Sequence, residues 1–138
     1  MTETSHHLPY ARWAHVLLRL VASALLMQHG VQKLFGLLGA TMVPPVGSLF
    51  WFAGIIETVG GLLVFLGLFT RVAAFIVSGE LAVAYFKSHF PNGFWPIMNK
   101  GELAVILCFT FLYFAATGAG ALSFDYIMSR RKTGPTLA

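Results

Sequence analysis

Four apolar runs alternate with short polar breaks along the chain, at about residues 14–38, 48–69, 72–90 and 102–119. Each is close to the roughly 20 residues that a helix rising about 1.5 Å per residue needs to cross about 30 Å of hydrocarbon. The breaks carry turn chemistry. Pro44 and Pro45 interrupt 40–47, Gly67-Leu68-Phe69-Thr70-Arg71 makes a tight second turn, and Pro91-Asn92-Gly93 with Pro96 marks a longer third loop. The pattern predicts an all-α fold, an integral membrane four-helix bundle over residues 1–122, followed by a polar, mobile tail over 123–138.

Composition agrees with that pattern and narrows it. Of 138 residues, 57% are hydrophobic and 10% charged, with a mean hydropathy of +0.77, outside the range of ordinary soluble domains. The first apolar run is too long for a cleavable signal peptide and ends in charged residues, so it is expected to remain as a span. A net charge of +4 raises the question of nucleic acid, but the nine Lys and Arg residues are scattered or terminal and form no polar face that would bind it. Their distribution instead orients the bundle. Arg12, Arg71, Arg130, Arg131 and Lys132 fall on one side, against Lys33, Lys87 and Lys100 toward the other, which places both termini in the cytoplasm. Tyr10 and Trp13 would then lie at the inner interface and Trp51, Phe94 and Trp95 at the outer one, as aromatic belts prefer.

Several ionisable residues interrupt the apolar runs. Charge within a span costs at least about 2.5 kcal/mol on insertion scales, so such groups face a bundle interior, pair, or mark a functional path. In the first helix His29 and Lys33 are four apart, as are Gln28 and Gln32, giving one polar stripe. In the second, Gly54, Glu57 and Gly61 share a face, and the glycines allow a neighbouring helix to come close. The third supplies Glu80 and Lys87, and the fourth opens with Glu102. Counting the helical rise from the outer surface puts Lys33, His89 and Glu102 within about 5 Å, Glu57 near 13 Å and Glu80 near 18 Å. All four helices therefore direct ionisable groups into the outer half of one bundle. His29, Lys33, Gln32, Lys87, His89 and Glu102 are the candidate ligand-binding residues, with Glu57 and Glu80 as a proton relay. The alternative is structural: Glu57 with Lys33, and Glu80 or Glu102 with Lys87, as ion pairs fixing helix register.

Other features carry less. Lys100 is expected to snorkel to the headgroups and Arg19 to snorkel inward. Ser123 and Asp125 are expected to cap the exit of the fourth helix. Gly118-x-Gly120 is not a dinucleotide loop, since no strand precedes it. The repeated GELAV at 79–83 and 101–105 reads as coincidence in a Leu/Ala/Val-rich chain. The lone Cys108 excludes a disulfide or dithiol pair within the chain. His29 and His89 with Glu57 or Glu102 would suffice for a metal by ligand type, but no short ligand spacing supports one, and His6 and His7 lie in the polar N-terminal segment.

Taken together, these pieces resemble the DoxX family of small four-span membrane proteins. The matching residues are Arg19, His29-Gly30-x-x-Lys33-Leu34-Phe35-Gly36, Glu57-x-x-Gly60-Gly61-Leu62, Gly67-Leu68-x-x-Arg71, Gly101-Glu102 and Gly118-x-Gly120-x-x-Ser123-x-Asp125. They run in the family's order over nearly the whole chain. The resemblance implies a multi-pass protein of the bacterial cytoplasmic (inner) membrane, linked to sulfur or oxidative-stress redox metabolism. It implies a quinone as cofactor and a partner redox enzyme or subunit; no haem, flavin or dithiol motif is present to supply electrons from within. Two functions follow as expectations. One is a quinone-linked oxidoreductase subunit, in which His29 and Lys33 donate hydrogen bonds while Glu57 and Glu80 relay protons. The other is a non-enzymatic carrier for a small anion, or a scaffold docking a partner enzyme.

Overall fold

The structure, a computed structural model, describes residues 9–132. His6, His7 and the end of the expected tail lie outside the described residues. Helix α1 (Pro9–Phe35) is followed by α2 (Leu49–Leu66), α3 (Thr70–Ala84), α4 (Glu102–Thr117) and α5 (Phe124–Lys132). No strand occurs among the described residues. The α-helical path of α2 is interrupted by a π-helical turn at Ile56–Gly60, and a second π-helical turn, Tyr85–His89, continues α3 toward a short 3₁₀ turn at Phe90–Asn92. The segment expected as a polar tail is therefore helical over Phe124–Lys132.

α1 and α2 are long and apolar enough to cross a bilayer, while α4 is apolar but shorter. Their outward faces remain greasy: Leu17 and Val21 on α1, Phe75 on α3 and Ile106 and Phe109 on α4 are all exposed. Helices apolar on both faces are those of a membrane span or a large core. The interior is built mainly by α3 lying along α4, with Val64, Ala74, Val77, Leu81, Leu107, Phe111 and Phe114 meeting Ala22 and Leu26 of α1.

Small residues set how closely α1 and α2 approach. A Cβ at Gly30 would stand 2.3 Å from Thr58 Oγ1, 2.6 Å from Thr58 N and 2.8 Å from Gly54 O. Gly54 lies against the Cβ of Lys33 and the side chain of Leu34, and Gly61 against Met27. Helix backbones come this close only where side chains are missing, as the sequence pattern anticipates for Gly54 and Gly61.

The end of the bundle opposite these residues is tied by two polar clamps. Arg19, 1% exposed, donates from Nη1 to Ala119 O, from Nη1 to Ala121 O at 3.4 Å and from Nη2 to Leu122 O at 2.7 Å. It does not snorkel. The loop after α4 turns its carbonyls inward, and a fixed guanidinium fork is the donor that can satisfy several at once. The second clamp is Asp125, whose Oδ1 accepts from Phe69 N–H and Oδ2 from Thr70 N–H, both at 2.9 Å. Asp125 thus caps the start of α3 rather than the exit of α4, and its own N–H donates to Gly67 O at 2.8 Å. Ser123 Oγ accepts from Tyr126 N–H at 3.1 Å, capping α5. Gly67, with φ of +69°, closes α2 where a side chain would strike Ser123.

Two glycine substitutions separate packing from helix propensity. Gly30→Ala should lower the unfolding temperature in detergent, by the equivalent of at least about 1–3 kcal/mol for forced overpacking. Gly79→Ala, where nothing lies within 4 Å of the added carbon, should match or slightly exceed the parent. Equal melting of the two variants would show that α1 and α2 are not held in this close crossing.

Candidate functional site

The crossing of α1 over α2 decides where the first charged residues meet. Lys33 rests its Cβ on Gly54 and extends to Glu57, in the π-helical turn of α2, where Nζ lies 2.7 Å from Oε1. Glu57 is 3% exposed and Lys33 24%. Removing a carboxylate this far from water is costly unless it is paired, and Lys33 supplies the pairing. The second carboxylate oxygen, Oε2, is buried and has no hydrogen-bond partner. Thr58, next in the turn, returns its hydroxyl to Gly54 O at 2.7 Å. π-helical turns are uncommon and frequent at functional sites, because they re-aim side chains that a regular helix would direct elsewhere.

A cavity of about 250 Å³ opens beside this pair. Its polar lining is His29, Lys33, Glu57, Ser88, His89 and Lys100; its apolar walls include Leu26, Phe50, Leu81 and Leu107. Four elements therefore converge: α1, α2, the π-helical extension of α3 and α4 with the loop before it. His89 is oriented by its contact with Asn99 O at 3.1 Å; a carbonyl only accepts, so Nδ1 carries a proton and donates it, leaving Nε2 to face the cavity's contents. Ser88 Oγ is buried without a partner. A second cavity, about 230 Å³ and almost wholly apolar, adjoins the first through the shared walls Phe50 and Ala84. Glu80 and Lys87 line it with Ile56, Ile76 and Val83, and Glu80 Oε2 is also buried and unpartnered.

Of the residues singled out from sequence, His29, Lys33, Glu57 and His89 come together around one cavity, and Glu80 with Lys87 around its neighbour. Two do not join them. Gln32 turns the other way and donates from Nε2 to Leu38 O at 3.1 Å, closing the end of α1, and Glu102 is exposed at the first turn of α4. Gln28 is exposed, so the stripe on α1 divides into a cavity-facing pair and an outward pair. Among the described residues no ion pair joins Lys87 to Glu80 or Glu102, and no group of three or more His, Cys, Asp or Glu side chains is placed to hold a metal.

Three participants were not anticipated. Lys100, an exposed residue, borders the cavity as well, where its left-handed backbone, φ of +59°, ends the single helical turn Pro96–Asn99. Ser88 had no distinguishing sequence neighbourhood. Asn99, buried, donates from Nδ2 to Gly93 O at 2.8 Å and to Tyr85 OH at 3.2 Å and accepts from Gly101 N–H at 2.8 Å, so it holds the loop that positions His89. An Asn two residues before a Gly, between a Pro-initiated turn and an apolar run, was the available signal.

Comparison with known proteins places these features in a wider set. A Haemophilus influenzae protein named "Uncharacterized protein" is 55% identical over 76 residues, which are 53% of this chain and 57% of that protein, so the match spans little more than half of the relative. A Bacillus subtilis protein named "Putative oxidoreductase CatD" is 27% identical over 128 residues, 86% of this chain and 90% of its own length. No solved structure matches the chain. The family model described as DoxX matches residues 14–90, a stretch that holds Arg19, His29, Lys33, Glu57, Glu80, Lys87 and His89, and the chain belongs to the DoxX family.

Proposed function

We propose that this protein is a four-span subunit of a quinone-linked oxidoreductase in the bacterial cytoplasmic membrane, acting on sulfur or oxidative-stress metabolites through a partner enzyme. The observation that carries the reading is the cavity at Lys33 and Glu57: apolar walls, a few convergent polar groups, and buried polar atoms left without partners. The relative named as an oxidoreductase supports the reaction class.

The residues present fit a quinone headgroup. About 250 Å³ is slightly below the usual range for ligand pockets and suits a ring rather than a whole prenylated molecule, whose tail would lie along the adjoining apolar cavity or in lipid. A quinone, when bound, accepts two electrons and two protons, the electrons coming from a partner subunit or its substrate. The chain supplies position and protons. Lys33 gives one N–H to Glu57 and has two more to offer a carbonyl oxygen. Ser88 can donate from its unpartnered hydroxyl, and His89, held through Nδ1, presents Nε2. Glu57 Oε2 and Glu80 Oε2, both buried and open, are the stations through which protons reach or leave the cavity. The apolar walls exclude water, which strengthens each of these interactions.

The four-span arrangement is tested by reporter fusions. Fusions at Ala138 and in the 67–71 turn should report cytoplasm, and fusions near Gly47 and Asn92 the outer side. An outer-side signal from Ala138 would remove the arrangement.

The cavity reading is tested against a purely structural pair. Lys33→Met and Glu57→Gln should each leave an inserted, folded protein whose substrate-dependent quinone reduction in membranes falls by about a hundredfold or more. The double variant should not recover, and His29→Ala should reduce the rate as well. A structural pair behaves oppositely: each single change strands a buried charge, and the double change relieves it. Parent-level activity in the double variant would reject the proposal.

A further inference from the structure

At the far end of the bundle from Lys33 lies a larger cavity, about 910 Å³, that the redox chemistry does not use. It is bounded by the start of α1, the start of α3, the loop after α4 and one face of α5. Two guanidinium groups line it. Arg12 is exposed and makes no hydrogen bond or ion pair among the described residues. Arg71 donates from Nη1 to Ala116 O at 2.8 Å and lies over Gly118, where an added Cβ would stand 3.4 Å from Nε. That anchorage uses one of five guanidinium N–H donors and fixes the plane of the rest.

An independent feature points to a ligand at the same place. Thr70, fully buried, lines the cavity, and its hydroxyl oxygen has no hydrogen-bond partner. It is also the first residue of α3, a helix of 15 residues whose opening N–H groups have no carbonyl four residues back. Asp125 takes those of Phe69 and Thr70, and those of Arg71 and Val72 remain. Asp125 is the one carboxylate among the residues lining the cavity, and both of its oxygens are already engaged by backbone donors. Two guanidiniums and a helix N-terminus therefore face one space with a surplus of positive charge, and the unpartnered Thr70 hydroxyl lies buried in its wall. Tetrahedral oxyanions are bound by that combination.

We propose that this cavity binds a phosphate group, its oxygens held between Arg12 and Arg71 and on the first turn of α3. The phosphodiester of an anionic phospholipid and a free phosphate share this chemistry. In the four-span arrangement this end meets the inner leaflet, where anionic headgroups are concentrated.

The full chain, purified in mild detergent, can be titrated with phosphatidylglycerol, phosphatidylcholine and inorganic phosphate, with binding read by native mass spectrometry and by thermal unfolding. Phosphatidylglycerol should bind in preference to phosphatidylcholine, and Arg12→Gln should weaken it about tenfold, the loss of one charge-assisted contact, while unfolding at the parent's temperature without lipid. Arg131→Gln, a change of equal charge at an exposed residue outside the cavity, should leave binding unchanged. Saturable, Arg12-dependent binding of inorganic phosphate without lipid preference would support the same site with a soluble ligand. Absence of both, or equal weakening by Arg131→Gln and Arg12→Gln, would overturn the proposal, the second outcome because diffuse surface charge would then explain the attraction.

Discussion

Where α1 crosses α2 there is no room for a methyl group, and that contact governs how the charged residues are distributed. Gly30 meets Thr58 and the Gly54 carbonyl, and Gly54 in turn receives the Cβ of Lys33. Each helix places an ionisable residue three positions after its contact glycine, Lys33 after Gly30 and Glu57 after Gly54, so both lie on the faces that the glycines bring together. A wider crossing would leave the lysine stem unable to hold its 2.7 Å approach and would strand a carboxylate that is 3% exposed. The close contact and the ion pair are thus one device, in which absent side chains on one turn position present ones on the next.

The two ends of the bundle satisfy polar groups by different means. Toward Lys33 and Glu57 the work falls to side chains, and it is left incomplete: Glu57 Oε2, Glu80 Oε2 and Ser88 Oγ are buried without partners. Toward Arg19 and Asp125 it falls to backbone groups, carbonyls of the loop after α4 and N–H groups at the start of α3, each met by a long-range side chain. Irregular backbone at depth in an apolar environment persists only when enclosed by protein in this way. Both ends keep some open valences, Thr70 Oγ1 among them at the fastened one, but among the described residues buried carboxylate oxygens without partners occur only on the Lys33 side.

Much of this was legible in the chain. Hydropathy located the helices because a run long enough to span is a strong signal, and charge inside such runs located His29, Lys33, Glu57, Glu80 and His89 because it is expensive there. Spacing was less informative about direction. Gln32 and Lys33 are adjacent, and only the path of the loop after Phe35 shows that Gln32 turns to Leu38 O. The π-helical turns at Ile56–Gly60 and Tyr85–His89 alter the helical phase without a distinctive composition, so no period read from the sequence could register them. Arg19 betrayed its depth but not the carbonyls it meets, which lie about a hundred residues away, and helix α5 is tied to the bundle by Asp125, whose partners Phe69 and Thr70 lie 56 and 55 residues back.

The cap supplied by Asp125 has a bearing on how the bundle is assembled. The start of α3 is completed by a residue 55 positions further along the chain, beyond α4. Until that stretch has been synthesised, the hairpin of α2 and α3 holds open N–H groups at its closing turn, which water or lipid headgroups must satisfy for the interval. The hairpin can form early, yet its turn is completed last, when the C-terminal helix brings Asp125 to the N–H groups of Phe69 and Thr70 and closes a corner that the hairpin alone cannot close.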